Sequence, residues 1–339
     1  MVERLHGKSP STSEYGRLLE VCLRDCRILP PILETQSEPH GVIHLENNEN
    51  NSPRLIDDEN GFGRCLILRG QWNNEAESII LQNDVSSLRL SEGAGWSDQS
   101  LEFLERIPSD ALTSLEIYSQ KITDVSHMLR FTSLRKIGLQ TRNAANFVSS
   151  AFPELEYLAY SWTKGGILDT LSDSLTVLKI DKYPYLDFLK IPKAQNLRAL
   201  LIGARKLSTL NGLEKFPLVQ DITILDAGKL IDISELGNIP DLQRLFLSGA
   251  ISIFDLHPVS AILDLRHLGL NSCSDIKSLA PIAHMIEMET LEISGNTRIV
   301  DGDLSVVESM KNLRWLEIVP RKHYHPRVSS LLSKINGNS

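Results

Sequence analysis

Eleven segments of this chain place an apolar residue three positions before a second and five before a third. They begin at Val85, Leu112, Leu134, Leu155, Leu175, Leu197, Val219, Leu242, Leu265, Met288 and Leu313. LRKIGL (134–139), LTVLKI (175–180), LRALLI (197–202), LQRLFL (242–247) and LRWLEI (313–318) are examples, and successive anchors lie 20 to 27 residues apart. A fixed period in this range predicts a solenoid, in which each repeat contributes one strand and stacks on the next. The three anchors of each repeat point inward. A second apolar set follows on the return path, as in Ile122, Val125 and Leu129, in Ile231, Ile233 and Leu236, and in Ile276, Leu279 and Ile282. No repeat can bury such stripes alone, so stacking has to do it. The expected result is a parallel β-sheet on the concave face, with short helices, 3-10 turns or extended segments on the convex face. Pro153, Pro217 and Pro240 each stand two residues before an anchor, where a turn feeds the strand.

The flanks differ from the repeats. Residues 1–63 read as an N-terminal extension: Tyr15, Leu18, Leu19, Cys22, Cys26 and Leu29 recur at helical spacing, Pro30-Pro31 stops the run, and ENNENNSP (46–53) and DDENG (57–61) are loop by composition. Residues 64–84 read as an N-terminal cap, with CLILRG (65–70) as an opening strand and a helix from Asn74 to Leu81. The repeats occupy 85–320. In the final stretch, 321–339, Pro326 to Ile335 predicts a capping helix with Val328, Leu331, Leu332 and Ile335 on one side.

The LxxLxL segments, each followed by an I-x-x-[IL]-x-x-[IL] return at about 22 residues, resemble the leucine-rich-repeat family. Within it, LGLNSCSDIKSLAPIAHM (268–285) and ITILDAGKLIDISELGNIP (222–240) resemble the internalin-like class. The resemblance covers about 85–318 and implies an α/β solenoid, a leucine-rich-repeat horseshoe. One departure stands out. The family places Asn or Cys three residues after the third anchor, to satisfy backbone groups in the turn. Here only Cys273 and Asn296 fit; Gly93, Gln120, Arg142, Thr163, Tyr183, Arg205, Ala227, Ala250 and Arg321 do not. The turns therefore have to satisfy their backbones by other means.

Chemistry-bearing motifs are missing. Gly7-Lys8-Ser9 lacks the earlier glycine and the preceding strand of a phosphate-binding loop, and Gly61-x-Gly63 and Gly93-x-Gly95 lack the third glycine of a dinucleotide fingerprint. The sequence contains no HExxH, GxSxG, CxxC or EF-hand loop. His323-x-His325 reads as solvated rather than metal-bound, and Cys273 has a structural place in its repeat. No enzyme, cofactor, metal or small-molecule substrate is expected. With 43 acidic against 35 basic residues the formal charge is −8, which argues against a nucleic-acid partner. Four scattered cysteines make no disulfide framework. MVERLHGKSPSTSEYGR lacks an apolar signal core, and no run approaches 18 apolar residues. A cytoplasmic, monomeric protein with no membrane contact is the expectation.

Strand side chains alternate, so residues between the anchors should face solvent on the concave side. Aromatic and large apolar ones are Tyr118, Tyr157, Trp162, Leu201, Leu225, Phe246 and Trp315, among balanced charges that include Arg89, Glu116, Lys136 and Lys179. Balanced charge with exposed Tyr, Trp and Arg fits a protein-binding surface. The candidate contacts are Tyr157, Trp162, Lys179, Leu201, Asp221, Arg244, Phe246, Arg266 and Trp315; a competing reading lets Trp162 and Trp315 merely pack over neighbouring turns. The leading expectation is a non-enzymatic protein–protein interaction module. An inhibitor or immunity-type protein for one enzyme or toxin is a sharper alternative. A surface adhesin of internalin type is disfavoured by the missing signal.

Overall fold

The computed structural model describes residues 52–82, 84–163, 167–239 and 241–337. The expected helix from Tyr15 to Leu29 with Cys22 and Cys26, the Gly7-Lys8-Ser9 triplet and Pro240 lie outside the described residues.

Thirteen strands form one open sheet in strict chain order. They are β1 (Arg54–Asp57), β2 (Arg64–Leu68), β3 (Val85–Ser91), β4 (Ser114–Ser119), β5 (Lys136–Thr141), β6 (Tyr157–Ser161) and β7 (Val177–Asp181), followed by β8 (Ala199–Gly203), β9 (Asp221–Leu225), β10 (Arg244–Ser248), β11 (His267–Asn271), β12 (Thr290–Ser294) and β13 (Trp315–Ile318). From β2 onward every neighbour is parallel, each repeat sending one strand into the sheet and returning along the far side. Only β1 runs antiparallel, pairing Leu55 with Leu66 and Asp57 with Arg64. The sheet thus begins at Arg54, inside the stretch expected as an extension. A four-residue strand after a polar run offers no periodicity to read.

The anchors are buried throughout, and one continuous apolar core runs from Leu55 to Leu331. Nine short 3-10 turns occupy the return arms among the described residues, for example Ser126–Arg130, Ser234–Asn238 and His257–Ala261. Two return-path expectations need correction. Leu230, not Ile231, enters the core, and Met128 is fully buried where Leu129 is only packed against the core edge. Met128 lies in the 3-10 turn Ser126–Arg130, whose three residues per turn bring it rather than Leu129 under Val125, whereas Leu230 and Ile231 lie in the irregular stretch before Ser234–Asn238.

The turns after the strands solve their backbone problem without an asparagine ladder. Neighbouring repeats bond directly: Tyr183 N–H to Gly203 O at 2.9 Å, Ala204 N–H to Leu225 O at 2.9 Å and Ala227 N–H to Ser248 O at 3.0 Å. Small residues pack beneath these bonds, with Ala204, Ala227 and Ala250 buried. Cys273 keeps the family position, its N–H donating to Thr297 Oγ1 at 2.8 Å. Asn296, the other fitting residue, is exposed. Gly295 (φ +63°) inserts before it and hands the buried place to Thr297.

Both open ends of the core are covered. Helix α1 (Asn74–Gln82) buries Ala76, Ile79 and Ile80, and Asn73 Oδ1 accepts from Ala76 N–H at 2.9 Å as its cap. Helix α2 (Val328–Gly337) seats Val328 and Leu331 in the core, whereas Leu332, expected on the same side, is exposed. No helix among the described residues is long and apolar enough to cross a membrane.

Stacking makes each anchor answer to two neighbours. Leu245→Ala, at a position with no exposed surface, should lose about 2–5 kcal/mol in chemical denaturation. A loss under about 1 kcal/mol would mean that the repeats do not share one core.

Candidate functional site

Because the strands are in register, side chains on the concave face form rows. The central row runs Arg89, Glu116, Gly138, Ala159, Lys179, Leu201, Thr223, Phe246, Gly269, Glu292 and Glu317. The row two positions earlier runs Ser87, Ser114, Lys136, Tyr157, Val177, Ala199, Asp221, Arg244, His267, Thr290 and Trp315.

The first repeats do not present this face to solvent. The loop joining β1 and β2, residues 58–63, folds over it. Phe62 O accepts from Ser86 Oγ at 3.0 Å and Ser87 Oγ at 2.9 Å. Asp58 reaches 78 residues along the chain to Lys136, Oδ2 to Nζ at 2.7 Å. Lys136 Nζ also meets Glu116 Oε1 at 2.8 Å, and Arg89 pairs with the same oxygen at 3.1 Å. The Tyr118 hydroxyl donates to the other Glu116 oxygen. The side chains of Asp58, Lys136 and Glu116 are 0%, 2% and 4% exposed, so this is a buried ionic cluster. Burial works to raise the Glu116 pKa, but Lys136 and Arg89, with the hydrogen bonds from Lys136 and Tyr118, outweigh it and hold the carboxyl below its ordinary range. The Tyr118 phenol is pushed well up by burial and by Glu116.

This cluster corrects the expectation that Glu116, Lys136 and Tyr157 face solvent. Tyr157 is buried, with its ring between two ammonium groups, Lys136 Nζ at 5.5 Å and Lys179 Nζ at 4.7 Å from the centroid. Burial, then the nearby carboxylates, raises its pKa far above the ordinary phenol. Leu201 and Leu225, also expected at the surface, are buried. A period-2 reading assigns the face of a side chain but not what lies over it.

The other candidates keep at least part of their surface. Trp162 is half-buried, packed edge-on against Tyr183 and Tyr185 at 5.2 and 5.4 Å, so its turn-packing role is real. Asp221 and Arg244, half-buried, pair at 3.0 Å across β9 and β10. Burial lifts the Asp221 carboxyl above its ordinary value against the pull of Arg244. Arg266, exposed, pairs with Glu289 at 3.1 Å. Phe246 lies flat along the sheet on Gly269, where a Cβ would come 2.3 Å from the ring. Trp315 is 60% exposed on the last strand. The nine candidates are thus strung along β6 to β13 and do not converge on one pocket.

The buried thiols are unreactive in character. Burial pushes Cys65 up to about 12 and Cys273 up to about 11. His323 Nε2 lies 2.9 Å from Ile299 O, a backbone contact.

Strands, 3-10 returns and a single shared core define a leucine-rich-repeat solenoid. No family model matches the chain, and no curated protein matches it in sequence. Among solved structures it is similar to an internalin from Listeria monocytogenes, at 17% identity over 75% of this chain and 73% of that one, TM-score 0.45. It is also similar to a leucine-rich-repeat protein of Leptospira interrogans (14%, 80% and 87%, TM-score 0.36) and to TLR13 in complex with ssRNA (14%, 74% and 44%, TM-score 0.46).

The buried cluster yields a signed pH prediction. Glu116 titrates lower when folded than when unfolded, so its contribution is full above the unfolded carboxylate pKa and is lost as pH falls through the folded one. Denaturant midpoints taken between about pH 6 and 3 should fall less steeply for Glu116→Gln than for the parent. Lys136→Ala should cost about 3–5 kcal/mol at neutral pH, by taking from buried Asp58 its paired cation and from Glu116 one of two. Parallel pH profiles for parent and Glu116→Gln would refute the assignment.

Proposed function

We propose that this protein is a binding module for another protein, and that the partner lies along the concave face over the later strands. The observation that carries the reading is the preset state of the side chains there. Phe246 is laid on Gly269, Arg244 is held by Asp221, and Arg266 is held by Glu289. Side chains already fixed lose little rotamer freedom when a partner arrives, and a stacked sheet presents them without backbone rearrangement. Lys179, Asp221, Arg244, Phe246, Arg266 and Trp315 are the proposed contacts, with Trp162 at the margin. Tyr157 and Leu201 act from below by supporting Lys179 and the sheet. The loop over β3 to β5 makes those strands part of the cap and moves the proposed footprint toward β13.

The test is affinity capture from native lysate at about 0.15 M salt, where screening leaves only close contacts effective, comparing the parent with an Arg244→Glu, Phe246→Ala double variant. Loss of one stoichiometric partner with an unchanged thermal midpoint supports the reading. A partner retained in full removes the concave face from consideration. Deletion of residues 1–51, which leaves the β1–β2 hairpin in place, separates a contribution of that segment. Gly269→Ala, which displaces the Phe246 ring without removing it, should weaken capture as well.

A further inference from the structure

Cys65 is 1% exposed, yet it does not belong to the apolar core. Its β2 neighbours Leu66 and Leu68 face that core, so Cys65 points the other way, onto the concave face, in register with Ser87 of β3. The row continues from Cys65 and Ser87 through Ser114 to Lys136, and all four are buried. Further along the same row Val177 and Ala199 stay half-buried. The difference is the loop 58–63, which lies over the first strands and not over the later ones.

That loop sits on the sheet as a bound peptide would. Asp58 gives a carboxylate to Lys136 Nζ at 2.7 Å, and Phe62 gives its carbonyl to the hydroxyls of Ser86 and Ser87. The Phe62 ring faces Arg135 and Lys136 at 5.5 and 5.9 Å, and Glu59 approaches Arg89 at 3.8 Å. The apolar core behind the sheet is complete without it, since Leu88, Leu115 and Ile137 are fully buried from the other side. The fit on the concave side is incomplete. Ser114 Oγ and Arg89 Nε are shut away from water and have no hydrogen-bond partner among the described residues. Unanswered polar groups and buried ions both weigh against the closed state. A segment held in this way opens before the rest of the structure does.

We propose that residues 58–63 are a displaceable strap filling a peptide-binding subsite on β3 to β5. The segment that takes its place comes from a partner and carries the strap's own chemistry, a carboxylate followed four residues later by an aromatic ring. Ser114 and Arg89, left unanswered by the strap, give such a segment room to bind better than the strap does. The partner's affinity is lowered by the fraction of molecules in which the strap is shut, so the strap sets its threshold. This subsite lies apart from the footprint over the later strands, and the two readings fail separately.

Cys65 supplies the readout. In a Cys22→Ser, Cys26→Ser protein the remaining thiols are Cys65 and Cys273, and Cys273 belongs to the core. Iodoacetamide under native conditions, read by mass spectrometry, should label Cys65 at least about tenfold faster than Cys273, because only Cys273 waits for the core to open. Asp58→Asn should raise the Cys65 rate about tenfold, as loss of a charge-assisted contact does, and leave Cys273 unchanged. In a variant with residues 58–63 replaced by a glycine–serine run of equal length, blocked Asp-Glu-Asn-Gly-Phe-Gly at millimolar concentration should protect Cys65. The same peptide with Asn in place of its Asp and Ala in place of its Phe should not. Equal labelling of Cys65 and Cys273 in the parent overturns the strap, and so does an Asp58→Asn rate equal to the parent's. Equal protection by the two peptides overturns the subsite. The labelling comparisons use only the intact strap and its single substitution, so they decide the matter even where the replaced loop does not fold.

Discussion

The fold depends on a single constraint: a repeat of about 22 residues has an apolar stripe wider than anything it can cover alone. Its three strand anchors and its return-path residues are satisfied only when the next repeat lies against them. That requirement forces the strands into strict order and makes nearly every pairing parallel. It also explains why both ends need different chemistry. A parallel stack leaves one apolar face open at each end, and here α1 and α2 close them with Ile79, Ile80, Val328 and Leu331. The direct backbone bonds between turns belong to the same logic. With an alanine where the family uses asparagine, a repeat can approach its neighbour closely enough for N–H and C=O to meet.

The hairpin at the start of the sheet adds something that stacking does not require. Four charged side chains, Asp58, Arg89, Glu116 and Lys136, are drawn out of water around a loop of six residues. Burying ions costs more than their pairing returns, and well-packed apolar residues would do the same work. What the ions offer is discrimination. A carboxylate at position 58 gives Lys136 its second anionic partner beside Glu116, and that pairing favours one seating of the hairpin over the strands. The consequence for function is a division of the concave face, with its first strands closed by the chain itself.

The repeats were legible in the sequence because their signal recurs eleven times, and a period survives local irregularity. The cap helices were legible for the same kind of reason, each having a short apolar spacing next to a capping or breaking residue. What escaped was whatever depends on contact between distant residues. Nothing in DDENG marks Asp58 as a buried ion, because its partner Lys136 lies in another repeat and reads as an exposed residue of the face. Tyr157 and Leu201 were placed on the correct side of their strands and still misjudged in exposure, since alternation is blind to what covers a face. The slip from Leu129 to Met128 has a smaller cause, the three-residue turn of the 3-10 segment Ser126–Arg130. Gly269 left a readable trace: a glycine among bulky residues in a strand marks a close approach, here of the Phe246 ring.

These two halves of the face obey one rule of charge and ring. Over β3 to β7 two aromatics are matched by cations of the chain: Phe62 with Arg135 and Lys136, Tyr157 with Lys136 and Lys179. Cations and carboxylates then neutralise one another strand by strand, through Arg89 with Glu116, Arg135 with Glu156, Arg244 with Asp221, and Arg266 with Glu289. Such ladders hold the rows in place but leave little net attraction for a visitor at the paired positions, where each charge is already answered. Specific recognition then has to come from positions where the rule is broken. Among the described residues Trp315 lies open on the last strand with no ring or cation of the chain on it. A partner on such a face would gain more from apolar and aromatic contact than from charge, because the paired charges are answered within the chain.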